Sequence, residues 1–88
     1  MELHEESLVE VFLDAVWAER GLSQNTLQSY RYDLQSLALH QQEMNSSLLS
    51  ASREDLLHFL AGRVGQGSSP RSLSRYLSGF RQFYQWLL

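Results

Sequence analysis

From Ser69 onward the chain carries a pattern that only a helix satisfies. Ser69 is placed to cap and Pro70 fills the first helical position, where its missing N–H is no loss. Leu73, Leu77, Phe80, Tyr84 and Leu87 then fall within about 80° of arc at ~100° per residue. Arg71, Arg75, Ser78 and Gln82 gather on the opposite side. One face therefore reads as core and the other as a row of donors, with two guanidiniums in its first two turns. The aromatic run Tyr76, Phe80, Phe83, Tyr84, Trp86 reads as core packing rather than a ligand box. Phe83 and Trp86 lie off the centre of the stripe and are expected to meet an element outside this chain.

Three earlier stretches repeat the helical period. The first spans Ser7 to Arg20, with Leu8, Val9, Phe12, Leu13 and Val16 as its stripe and Glu10 and Asp14 opposite. Ser7 and Glu10 have the spacing of a capping box, and Gly21 supplies the left-handed residue that ends such a helix. The second spans Gln24 to Gln41 behind a Ser23 cap, with Leu27, Tyr30, Leu34, Leu37 and Ala38 in one sector. Asn25, Ser29, Tyr32 and Ser36 fill the other sector, flanked by Gln28. After an Asn- and Ser-rich loop at Asn45–Ser50, the third helix begins at Ser52. Its stripe is Leu56, Phe59, Leu60 and Val64, and Glu54 and Asp55 sit in its first turn, where the helix dipole favours acids. Gly65-Gln66-Gly67-Ser68 is a connector. No alternating segment and no Asn-Gly or Asp-Gly turn competes. The expected fold is all-α, one four-helix domain over residues 1–88 built as two helical hairpins.

Eighty-eight residues allow one modest core. The absence of cysteine rules out a disulfide scaffold and thiol chemistry. No apolar run approaches the roughly 20 residues of a membrane helix, and the first residues are acidic where a signal peptide would be basic, so a cytoplasmic protein is expected. His4, His40 and His58 have no ligand spacing, so they read as solvated and no metal or other cofactor is expected. No Gly-x-Ser-x-Gly, phosphate-cradling loop or nucleophile–base constellation is present. Glu5-Glu6 and Glu54-Asp55 need no role beyond solvated acids at helix starts.

Charge is more informative. Residues 1–19 hold six acids and no base, whereas residues 20–88 hold seven Arg against four acids. All the bases are Arg, whose planar fork suits phosphate and guanine. Arg71 and Arg75 have no acid three or four residues away, so no local ion pair accounts for them. They lie near a helix N-terminus that itself favours an anion. This asymmetry points to an anionic partner such as duplex DNA.

Two segments carry a family resemblance. Gly21-Leu22-Ser23-Gln24-Asn25-Thr26-Leu27-Gln28-Ser29-Tyr30-Arg31-Tyr32-Asp33-Leu34 resembles the S-x-x-T-x-x-x-Y-x-x-D-L signature of the tyrosine recombinases, in their N-terminal, SAM-like core-binding domain. Ser72-Leu73-Ser74-Arg75-Tyr76-Leu77-Ser78-Gly79-Phe80-Arg81-Gln82-Phe83-Tyr84-Gln85-Trp86-Leu87 resembles the last helix of that domain, with Ser72 where Thr is usual. Phe12-Leu13-Asp14-Ala15-Val16-Trp17 is similar to its first helix. The group that resolves chromosome dimers is the nearest fit. The resemblance covers nearly the whole chain.

The resemblance implies a C-shaped clamp on DNA, with this domain on one side and a C-terminal catalytic domain, absent from this chain, on the other. The catalytic Arg, Lys, His and nucleophilic Tyr belong to that second domain. Tyr30, Tyr32, Tyr76 and Tyr84 are then not nucleophiles, and this chain alone is not an enzyme. Carried over by position, Asn25, Thr26, Gln28 and Ser29 of the second helix and Arg71, Ser72, Arg75 and Gly79 of the fourth would meet the major groove. Arg71 is assigned to phosphate, Arg75 to a base edge, and Gln28 to adenine or phosphate. The partners implied are a double-stranded recombination site, the catalytic domain and related protomers in a synaptic tetramer. The acidic first helix would point away from phosphate. A rival reading is a helical protein–protein interaction module without DNA binding, in which Arg71 and Arg75 meet Glu5, Glu6 or Glu10 of a neighbour. A helical domain with no ligand of its own is the third.

Overall fold

A computed structural model describes residues 5–88, and His4 lies outside them. It contains helices α1 (Glu5–Arg20), α2 (Gln24–Glu43), α3 (Arg53–Gly65) and α4 (Pro70–Leu87), and no strand among the described residues. The expected all-α architecture is what forms. Gly21, at φ 60°, turns α1 into α2, and its N–H bonds the Trp17 carbonyl at 2.9 Å. Gly67, at φ 87°, serves the α3–α4 turn. Both adopt a backbone that Cβ-bearing residues rarely reach.

Three of the four helix starts are capped by serine. Ser23, Ser52 and Ser69 each accept from the N–H three residues on, at 3.1–3.2 Å. Ser52 completes a capping box, because Asp55 Oδ2 takes the Ser52 N–H at 3.0 Å. The expected Ser7–Glu10 box does not form. α1 already includes Glu5, so Ser7 lies inside the helix, and the Glu10 carboxylate is engaged by Arg31 instead.

The core is aromatic and centred on α4. Phe83 is fully buried, with its edge toward Phe12 of α1 at 5.2 Å between ring centroids. Trp86 packs on the same Phe12 at 5.6 Å. Phe83 and Trp86 thus meet α1, not an element outside the chain. On the other flank, Phe59 of α3 meets Tyr76 and Phe80 edge-on, each at 5.6 Å. α2 adds Leu27, Tyr30, Leu34 and Leu37, and Leu48 plugs the α2–α3 loop. Tyr84 donates its hydroxyl to the Leu48 carbonyl at 2.7 Å, and burial pushes that hydroxyl's pKa up.

The buried sector of α4 is rotated by about 70° from the apolar stripe, taking ~100° per residue. Tyr76, Gly79, Phe80 and Phe83 are its buried residues, and Leu77 is 47% exposed. The cause is α2. An apolar count ignores Gly79, yet its missing Cβ is what admits the Tyr30 ring; a Cβ there would lie 3.0 Å from Tyr30 Cδ1. Val64, expected in the α3 stripe, is also exposed. In that last turn the Arg63 guanidinium covers the core, 4.9 Å from the Phe59 ring centre and 5.8 Å from that of Tyr76.

Of the two described histidines, His58 is exposed as expected and His40 is not. His40 is half-buried against Phe59, and its Nε2 lies 3.3 Å from His58 Nδ1 across α2 and α3. Among the described residues no three His, Cys, Asp or Glu side chains form a metal-binding group. No described helix is long and apolar enough to cross a membrane.

Candidate nucleic-acid interface

The donor face of α4 meets Tyr30 and Asp33 of α2 along a polar seam. Its centre is Asp33, which is fully buried. Arg75 donates Nε and Nη2 to its two oxygens, both at 2.9 Å. This fork-to-fork pairing is the strongest common geometry for the two groups. The Arg75 guanidinium also lies 5.3 Å from the Tyr76 ring centre. So Arg75 does have a carboxylate partner, but 42 residues away in sequence, where local spacing cannot reveal it. Nη1 makes no hydrogen bond among the described residues.

One turn further, Tyr30 Oη lies 3.1 Å from Ser78 Oγ and accepts from Gln82 Nε2 at 3.0 Å. Gln82 Nε2 also reaches Ser78 Oγ at 3.3 Å. Asp33 therefore pairs with Arg75, and Tyr30 with Ser78, Gly79 and Gln82. Falling numbers on α2 match rising numbers on α4, so the seam runs antiparallel. The start of α2 consequently neighbours the second half of α4, not its first. Along the seam, Asn25 and Arg71 are up to about 18 Å apart by helix rise.

The eight residues singled out by sequence fall into three states. Asn25, Gln28 and Arg71 are exposed, and Gln28 Oε1 accepts from Arg31 Nη1 at 2.9 Å. Thr26, Ser29, Ser72 and Arg75 are half-buried. The Thr26 and Ser72 hydroxyls lie 3.0 and 3.2 Å from the capping Ser23 and Ser69 hydroxyls. Gly79 is buried under Tyr30.

Sequence reasoning missed Asp33, Arg31 and the Tyr30–Ser78–Gln82 network. A signal for Asp33 existed, since an acid at the edge of the α2 apolar sector needs a buried partner. Arg31 clasps Glu10 through Nε and Nη2 at 2.7 and 2.8 Å, joining α2 to α1. Those bonds hold the Glu10 carboxyl below its ordinary pKa. Asp55 is lowered too, by the Ser52 N–H and then by Gln41 Nε2 at 3.0 Å.

A family model described as the phage integrase N-terminal SAM-like domain matches residues 9–88. This chain belongs to that family. Among curated relatives, a protein named tyrosine recombinase XerD from Pseudomonas putida is 49% identical over 81 residues, covering 92% of this chain and 27% of the relative. XerD of Yersinia pestis is 46% identical over 87 residues, 99% of this chain and 29% of the relative. XerD of Pseudomonas aeruginosa is 41% identical over all 88 residues, 30% of the relative. The chain therefore spans less than a third of the length of these relatives. No solved structure matches. The resemblance read from the Ser23–Leu34 and Ser72–Leu87 segments is that of the family found.

Proposed function

We propose that this chain is the DNA-binding module of a site-specific tyrosine recombinase, meeting one side of a recombination half-site through α2 and α4. The observation that carries the reading is the seam itself. Two helices expose amides, hydroxyls and arginines along one line, and a buried carboxylate fixes the central arginine. Arg75 spends Nε and Nη2 on Asp33 and keeps Nη1 for a base edge. Its rotamer is set before DNA arrives, so less entropy is lost on contact. Arg71, exposed in the first turn of α4, is suited to phosphate. Asn25, Thr26, Gln28 and Ser29 serve the same groove from α2, with Ser72 beside Arg71. Gly79 acts indirectly, by letting Tyr30 seat.

In this reading strand cleavage and rejoining belong to a catalytic domain elsewhere in the parent protein. Protomers assemble on paired sites as a tetramer, and chromosome dimers are the substrate, as the family resemblance of the sequence implies. NMR titration of the domain with a recombination half-site duplex tests the DNA contact, since it detects even the weak binding of a half-clamp. Amide shifts at Asn25–Ser29 and Arg71–Arg75 that fade as salt rises are expected. Shifts centred on acidic α1, or none, would overturn the reading and favour a protein-interaction module.

A further inference from the structure

The start of α2 points to a second feature. Beside the seam an open cleft of about 440 Å³ lies between the end of α1 and residues 74–85 of α4. Arg20, Ser74, Ser78, Arg81, Gln82 and Gln85 line it, with no carboxylate among them. Arg20 and Arg81 are exposed, and neither forms an ion pair among the described residues, unlike Arg31 and Arg75. The cleft's floor is fixed, because Gln82 is bonded to Tyr30 and Ser78. Leu77, 47% exposed, lies on the same cleft and offers an apolar contact of the kind a deoxyribose takes.

We propose that this cleft binds a backbone phosphate of duplex DNA, on the groove wall opposite the one met by Arg71. The inference rests on the DNA-binding reading above and adds a site to it. Two guanidiniums and neighbouring hydroxyl and amide donors, with no competing acid, make a phosphate the fitting ligand. Spacing assigns the strand. Arg71 and Arg81 stand ten residues apart on one helix, about 15 Å by rise. The major groove is about 12 Å wide. One helix laid across it sets its first turn at one backbone and Arg81, with Arg20, at the other. Ser29 of α2, about 12 Å from Arg71 along the antiparallel seam by the same rise, then lies between them.

The test is fluorescence anisotropy with a half-site duplex and a scrambled duplex between 50 and 200 mM salt, on wild type, R20Q/R81Q and R20K/R81K. Both arginines are exposed, and thermal melts check that the variants stay folded. The Gln variant is expected to bind both duplexes more weakly by the same factor. Its slope of log affinity against log salt should be shallower by about 1 for each phosphate it no longer neutralises. The Lys variant should keep most of the slope. Phosphate ethylation should interfere on both strands for wild type, and on one fewer phosphate for the Gln variant. Wild-type binding with an unchanged slope in R20Q/R81Q would overturn this site while leaving the DNA reading intact. A selective loss on the half-site duplex would also overturn it, by showing base contact instead. A wild type that binds neither duplex overturns both.

Discussion

The aromatic core and the polar seam are built on the same helix and obey different rules. Around Phe80 and Phe83, partners are interchangeable in kind: any apolar surface of fitting shape will do. Along Arg75, Ser78 and Gln82, each group needs one named partner at hydrogen-bond distance. Apolar burial is non-directional and scales with area, whereas a buried polar group left unpaired is costly. The core therefore sets how stable α4 is, and the seam sets which way its donors point.

The largest expected effect lies on the core side. Phe83→Ala empties a fully buried site between Phe12, Tyr84 and Trp86. A loss of about 3–5 kcal/mol in unfolding free energy is expected from urea denaturation. For a chain of 88 residues that is a large share of the total. A loss below about 1 kcal/mol, well short of the usual cost of emptying a core site, would mean that Phe83 is not the hinge between α1 and α4.

On the seam side the two partners should be unequal. Arg75→Ala leaves Asp33 buried without a cation, at a cost of about 3 kcal/mol. Asp33→Asn leaves an arginine whose side chain is 37% exposed and turns to water, so about 1.5 kcal/mol is expected. Equal costs, measured by the same denaturation, would show that Asp33 is hydrated and that the seam does not fix Arg75.

The same contrast between core and seam explains what was legible in the sequence. Four helices, the Ser23, Ser52 and Ser69 caps and the Gly21 turn follow from local chemistry, because the partner is three or four residues away. Phe83 escapes the apolar stripe because a stripe is centred on side chains alone, and Gly79, which has none, turns the helix toward Tyr30. The face bearing Asn25 and Arg71 was legible by period. Its internal order was not, since the Asp33–Arg75 and Tyr30–Ser78 contacts span 42 and 48 residues. The His40–His58 contact escaped for the same reason.

A local interaction should cost less than either. Ser52→Ala removes the acceptor for the Asp55 N–H and breaks the reciprocal capping box at the start of α3. About 1 kcal/mol is expected, read as a fall in denaturation midpoint with unchanged slope. Ser52→Asp, which can also cap, should restore most of it. If it does not, the role of Ser52 is packing rather than capping.

The smallest effect is expected at Glu10 and Arg31, which resemble the Asp33–Arg75 pair in geometry and differ in burial. Both are two-bond arginine–carboxylate clasps, but here the side chains are 49% and 32% exposed. Water screens the attraction, and two long side chains must be held still. A double-mutant cycle with E10Q and R31Q should give about 0.2–1 kcal/mol at low salt, falling as salt rises. The Glu10 carboxyl is held below its ordinary value, mainly by its bond to Arg31. A depressed folded-state pKa adds stability above the unfolded value, about 4.3 for Glu. That stability is lost as pH falls through the folded value. The coupling should thus be constant from about pH 6 to 8 and shrink below about pH 4. A coupling as large as that of Asp33 and Arg75 would mean that geometry, not burial, sets the strength of these clasps.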